Sequence, residues 1–325
     1  MAVQKILGVS VLAAGAMLLS ACNDSDTGGG HLVVTPEPEL ELDPGEYQDT
    51  PAGVSSDFAE DLEQVFADMG EISDLIADFS EAATAGVSEP GTYDCPAGGR
   101  LITDYDEAND DNEEQAENWD FENCVVSIDG VGQVKISGSV DYYHLNKSTA
   151  EGEVWKFSVT YDGITGEVLE TGEVLALNGT EEIDELDAEG VVSGTSHLIG
   201  TIDFLEMRYG ELYVGLTGFE SRQEGTEEES EYTIVGKLVA SALEGYVTLE
   251  TPVPVTAEYG YTCPTKGQIN AAGDETAELM FGETALGTGA KAALWIGGQL
   301  AESYDENECE YLIDLLGIET YDDPL

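Results

Sequence analysis

Val134-Lys135-Ile136-Ser137-Gly138-Ser139-Val140-Asp141-Tyr142 sets an apolar residue at nearly every second position, with Lys, Ser and Asp between them. That period belongs to a strand with one buried face, because successive side chains point to opposite sides of the backbone. The pattern returns in Trp155-Lys156-Phe157-Ser158-Val159-Thr160-Tyr161-Asp162. Similar short runs recur at 198–206, 211–219, 232–240 and 246–255, punctuated by Gly or acidic turns. Many strands at short, regular spacing predict a mainly β fold, an antiparallel meander forming a barrel or a strongly curved sheet. The 38 glycines suit bends and bulges in such strands.

Upstream of the strands the period changes to that of a helix. Phe58, Leu62, Val65, Phe66, Met69, Ile72, Ile76 and Phe79 recur at spacings of three and four, one apolar stripe. Asp57, with Glu60 three residues on, is an acidic variant of the capping box, and Gly86 is the expected stop. The spacing predicts an amphipathic helix within 56–90, with Gly70, at a cost of about 1 kcal/mol, as a point where it divides. Such a stripe either covers a sheet or captures a partner.

Downstream, 91–325 reads as a disulfide-stapled antiparallel domain, with 91–255 and 256–325 as possible related parts. Tyr93-x-Cys95-Pro96-x-x-Gly99-x-Leu101 is matched by Tyr261-x-Cys263-Pro264-x-x-Gly267-x-Ile269. Duplication and a shared turn requirement both account for it. Each copy is followed by a further cysteine, Cys124 and Cys309.

The other end of the chain sets its expected location. Lys5 precedes an almost unbroken apolar run from Ile6 to Leu19, too short for a comfortable membrane span. The run ends at Leu19-Ser20-Ala21-Cys22, which resembles the lipobox of bacterial lipoproteins. The resemblance implies a signal peptide over 1–21, a diacylglyceryl group on the Cys22 sulfur and acylation (palmitate or similar) of the new amino terminus. One chain binds a bilayer only marginally; two or three on one residue hold it. Asn23, rather than Asp, directly after the cysteine implies delivery to the outer membrane. Over 22–55, Gly28-Gly29-Gly30 and Pro36, Pro38, Pro44 and Pro51 among acidic residues read as a flexible tether.

Composition narrows the partners. With 10 Lys plus Arg against 68 Asp plus Glu, the formal charge is −58, which repels nucleic acid and anionic lipid. A hydrophobic content of 42% is nevertheless enough for a core. Saline surroundings that screen the acidic faces, or bound cations, reconcile the two.

In the oxidising compartment that the lipobox implies, the repeat favours Cys95–Cys124 and Cys263–Cys309, each within one copy. A four-cysteine zinc site is the rival, but no C-x-x-C pair or nearby His supports it.

Chemistry is harder to find. His31, His144 and His197 are isolated, and no zinc-protease, nucleophile-elbow, P-loop or dinucleotide motif occurs. Asp104, Asp106, Asp110, Asp111, Glu113 and Glu114 crowd one loop, hard oxygen donors that suit Ca²⁺ but lack the EF-hand order. A solvated acidic loop is the plainer reading.

The expectation is a non-enzymatic outer-membrane lipoprotein that supports the envelope or binds an envelope protein or a hydrophobic ligand. Calcium binding or surface adhesion through acidic loops is the alternative, and a carboxylate-dependent envelope hydrolase the third. A curved sheet covered by a helix is similar in outline to periplasmic lipoprotein carriers, a likeness of fold alone.

Overall fold

A computed structural model describes residues 45–55, 58–87, 89–107, 114–188, 195–226, 229–258, 261, 263–282, 290–306 and 308–309. A short 3₁₀ turn (Gly45–Gln48) is followed by one long helix, α1 (Phe58–Thr84). Then come β1 (Gly91–Asp94), β2 (Gly98–Glu107), β3 (Glu114–Ile128), β4 (Gly132–Ser148), β5 (Glu153–Val168), β6 (Val174–Asp187) and β7 (Ser196–Tyr209). The chain continues through β8 (Leu212–Thr226), β9 (Glu229–Ala240), β10 (Gly245–Glu258), β11 (Lys266–Ala272), β12 (Thr276–Phe281), β13 (Ala292–Ile296) and β14 (Gln299–Tyr304).

All fourteen strands form one antiparallel sheet in the order of the sequence. The fold is thus mainly β and a meander. It is not closed: β1 pairs with β2 and β14 with β13, and the two edges do not meet. The possible boundary at 255/256 falls inside β10, so both suggested parts share one sheet. Register shifts interrupt the middle of the long strands, between Phe121 and Cys124, Tyr161 and Ile164, Thr180 and Glu182, and Thr217 and Glu220. Extra residues at such points bend and twist a strand.

Helix α1 runs through Gly70 without a break. Its buried side includes Val65, Met69, Ile72, Ile76 and Phe79, and it packs on β3, β7 and β8. The Phe79 ring meets Phe121 of β3 edge-on, with centroids 5.4 Å apart. Ser73, buried on the same helix, donates to the Met69 carbonyl at 2.6 Å, which removes the cost of enclosing its hydroxyl.

Part of the expected tether belongs to the fold. Pro51 bridges Tyr246 of β10, Ala52 N–H donates to the Tyr246 carbonyl at 2.8 Å, and Ala52 and Val54 are buried. Val54 N–H donates to Asp274 at 2.8 Å. The open flank of β10 supplies backbone partners that local composition cannot reveal.

Cys95 is bonded to Cys124 and Cys263 to Cys309, with Cα separations of 5.4 and 5.8 Å. The repeated glycines share a geometric task. Gly99 (φ 77°) would bring a Cβ to 1.8 Å from the Asn123 carbonyl oxygen, and Gly267 (φ 137°) to 2.5 Å from the Val255 Cα. Each lets its strand approach the next more closely than any side chain permits.

Candidate functional site

Two polar sites lie back to back on β2–β6. Alternation assigns them to opposite faces, because neighbouring residues along a strand point opposite ways.

On the face turned to the core, register sets Glu117 of β3 opposite Tyr142 of β4, Tyr142 opposite Val159 of β5, and Val159 opposite Glu181 of β6. The adjacent row carries Trp119, Val140 and Tyr161. Toward the strand ends, His144, Phe157 and Ile183 form a third row, with Trp155 and Glu185 beyond. Aromatic rings join these rows. Tyr142 meets Phe157 edge-on at 5.2 Å, Trp155 stacks on Phe157 at 5.8 Å, and His144 meets Trp155 at 5.9 Å.

Glu181 is 1% exposed, and neither of its oxygens has a hydrogen-bond partner among the described residues. The Tyr161 and Tyr142 hydroxyls are also enclosed and without partners. Burial holds the Glu181 carboxyl well above the usual carboxylate range, which favours its protonated form. Tyr161 is raised by burial and then by Glu181, and Tyr142 by burial and then by Glu117. Glu117 is itself raised by burial, with the Trp119 indole N–H acting the other way. Burial lowers His144, which favours its neutral form.

Glu206 shows what a purely structural buried carboxyl looks like in this fold. It is equally enclosed on the opposite face of β7, yet Tyr213 donates to its Oε1 at 2.8 Å. Each enclosed polar group left unpaired costs about 1–3 kcal/mol. On this face the Glu181 carboxyl, the Tyr161 and Tyr142 hydroxyls and the Trp119 indole N–H are all enclosed without a hydrogen-bond partner among the described residues.

The outer face carries a groove of about 550 Å³ lined by Asp104, Asn118, Asp141, Tyr143, Ser158 and Thr160. Asn118 donates to Asp141 at 2.7 Å, and the Thr160 and Thr180 hydroxyls bond at 3.0 Å. Of the acidic residues singled out from the sequence, Asp104 enters this groove. Asp106 is placed by its backbone alone, opposite Ala116, and Asp110, Asp111 and Glu113 lie outside the described residues, as does Cys22. Among the described residues no group of three or more His, Cys, Asp or Glu could hold a metal ion. His197 lies 3.9 Å from Asp184 at the sheet surface, away from both sites.

The chain matches no protein-family model, no curated protein and no solved structure.

Sequence reasoning missed Glu181. Its signal is a parity: Leu175, Leu177, Gly179, Glu181 and Ile183 alternate along the buried face of β6, and one member is a carboxylic acid.

Proposed function

We propose that this chain is an exported lipoprotein, anchored through Cys22 in the outer membrane, whose β domain is a non-enzymatic binding module of the envelope. The observation that carries this reading is the division of its five cysteines. Four are joined in two disulfides, a feature of oxidising compartments, and the fifth is the lipobox Cys22. The described fold begins at Gly45. The 23 residues from 22 to 44 have an r.m.s. reach of about 26 Å if flexible, enough to stand the domain off a bilayer.

Within the domain, the sheet is read as strongly curved, with α1 an amphipathic cover on its concave side. Support comes from the contacts of α1 with β3 as well as with β7 and β8, strands that a flat sheet would hold about 19–24 Å apart. Register shifts recur in the middle of the long strands, and bulges of this kind bend and twist a strand.

Intact-mass spectrometry of the purified mature protein, with and without reduction, tests the reading. The expected result is a chain beginning at Cys22, carrying a diacylglyceryl group and an amide-linked acyl chain, and gaining four hydrogens on reduction. A chain that is unacylated at Cys22 contradicts it.

A second reading, cation binding or adhesion through acidic surface, draws on the groove in which Asp104, Asn118 and Asp141 are register neighbours. A rise in melting temperature with Ca²⁺, lost in Asp104→Asn, would favour it.

A further inference from the structure

We propose that residues 306–316 form a second amphipathic helix, which covers the core face of β11–β13 as α1 covers β3, β7 and β8. The occupant of that face is thus a segment of this chain. The inference stands apart from the lipid anchor and from any ligand of the domain.

The face is apolar, and the strands that carry it make their main contacts with their neighbours in the sheet. Alternation puts Ile269 of β11, Leu279 and Phe281 of β12, and Ala292, Leu294 and Ile296 of β13 on one side. Ala271 of β11 shares that side and pairs with Leu249 of β10, which joins it to the core. Ile269, Phe281, Ala292 and Leu294 are 0–7% exposed, and Leu279 and Ile296 are half-buried. α1 makes its main contacts elsewhere, on β3, β7 and β8. Apolar side chains enclosed on one face of a sheet need a second layer against them.

The last described residues begin a helix: Glu306, Glu308 and Cys309 have helical backbone. Asp305 Oδ1 accepts the Glu308 N–H at 3.2 Å, and Glu308 Oε2 accepts the Asp305 N–H at 3.0 Å, a reciprocal capping box with Asp as the cap. The Cys309 N–H donates to the Asp305 carbonyl at 2.9 Å, the first bond of the helical ladder. From there the sequence keeps the helical period. Cys309, Leu312, Ile313 and Leu316 form one stripe, Glu310 and Asp314 lie off it, and Gly317 is the expected stop. A helix over 306–316 is about 16 Å long and about 10 Å wide, enough to lie across two or three strands about 4.8 Å apart. Its start is pinned beside the face, because Cys309, itself 0% exposed, is bonded to Cys263 just ahead of β11. A second copy of the chain is a poor rival, since two molecules of formal charge −58 repel each other.

Hydrogen–deuterium exchange of the full mature protein, read by mass spectrometry, tests the helix, and a photocrosslink tests its place. The amides of 310–316 should exchange about tenfold more slowly than unstructured chain, or slower still. Exchange at the unstructured rate overturns the proposal. With p-benzoylphenylalanine in place of Leu315, at the edge of the stripe, illumination should join this segment to peptides of β11–β13 in the same molecule. Crosslinks only to other strands or to a second copy, or none at all, overturn it. Leu316→Asp should lower the melting temperature by several degrees and raise the binding of 8-anilinonaphthalene-1-sulfonate, whereas Asp314→Ala, off the stripe, should change neither. Equal effects of the two substitutions contradict the assigned face, and exchange and crosslinking decide the matter even where Leu316→Asp does not fold.

Discussion

Tyr161 and Glu181 are diagonal neighbours across the β5–β6 pairing, each 1% exposed, and no hydrogen bond joins them. An apolar pair at these positions would bury the same surface with no polar cost. That the fold sets a phenol beside a carboxylic acid in its core makes Glu181 a source of pH-dependent stability.

In the unfolded chain Glu181 ionises near its ordinary pKa of about 4.3, whereas burial raises its pKa in the fold. Above that pH the unfolded state sheds a proton that the native state retains. The group's contribution to stability is therefore full below about pH 4.3 and falls as pH rises, by about 1.4 kcal/mol per pH unit, until the folded pKa is reached. Glu181→Gln lacks this dependence. In urea denaturation, the stability of Glu181→Gln relative to wild type should rise from pH 5 to pH 7. A flat or falling difference would mean that Glu181 is already ionised and paired.

The two disulfides close loops of 29 and 46 residues. Constraint of the unfolded chain gives each about 3–4 kcal/mol. Replacing Cys95 and Cys124 together by Ala should lower the urea midpoint at constant m-value, and the Cys263/Cys309 double variant should do the same. Removal of one cysteine alone tests a different quantity, because it leaves a reactive thiol.

Two glycines should respond in opposite directions to the same substitution. Gly70 lies within α1, and a Cβ there would meet nothing within 4 Å. Gly70→Ala should stabilise by about 0.5–1 kcal/mol. Gly99, at φ 77°, would drive a Cβ to 1.8 Å from the Asn123 carbonyl oxygen beside the Cys95–Cys124 bond. Gly99→Ala should cost more than about 1 kcal/mol, from backbone strain and displacement of β3. Thermal denaturation of both variants reads the two signs in one experiment.

Much of this architecture was legible in the chain. The apolar period of two over 134–142 and 155–162 falls in β4 and β5, and the stripe from Phe58 to Phe79 falls in α1. Gly70 misled because propensity is local, whereas burial of Met69 and Ile72 on either side of it is worth more than the glycine costs. β3 and β6 were harder to see. Glu117, Asp120 and Glu122 in one, and Glu181, Glu182, Asp184 and Glu185 in the other, blur the alternation with acids on both faces. For the same reason Glu181 could not be told from the other carboxylates by composition. Its distinction is enclosure without a hydrogen-bond partner among the described residues, which exists only once the strands are paired. The attachment of Ala52 to β10 and of Val54 to Asp274, between β11 and β12, is likewise a tertiary fact, written in residues some 190–220 positions away.

The lipid anchor is tested most directly by replacing the Cys22 sulfur. Cys22→Ser in the native host, followed by fractionation of the envelope, should move the protein out of the outer-membrane fraction while its two disulfides still form. If the variant sediments with the outer membrane as the wild type does, acyl chains on Cys22 are not what holds this domain there.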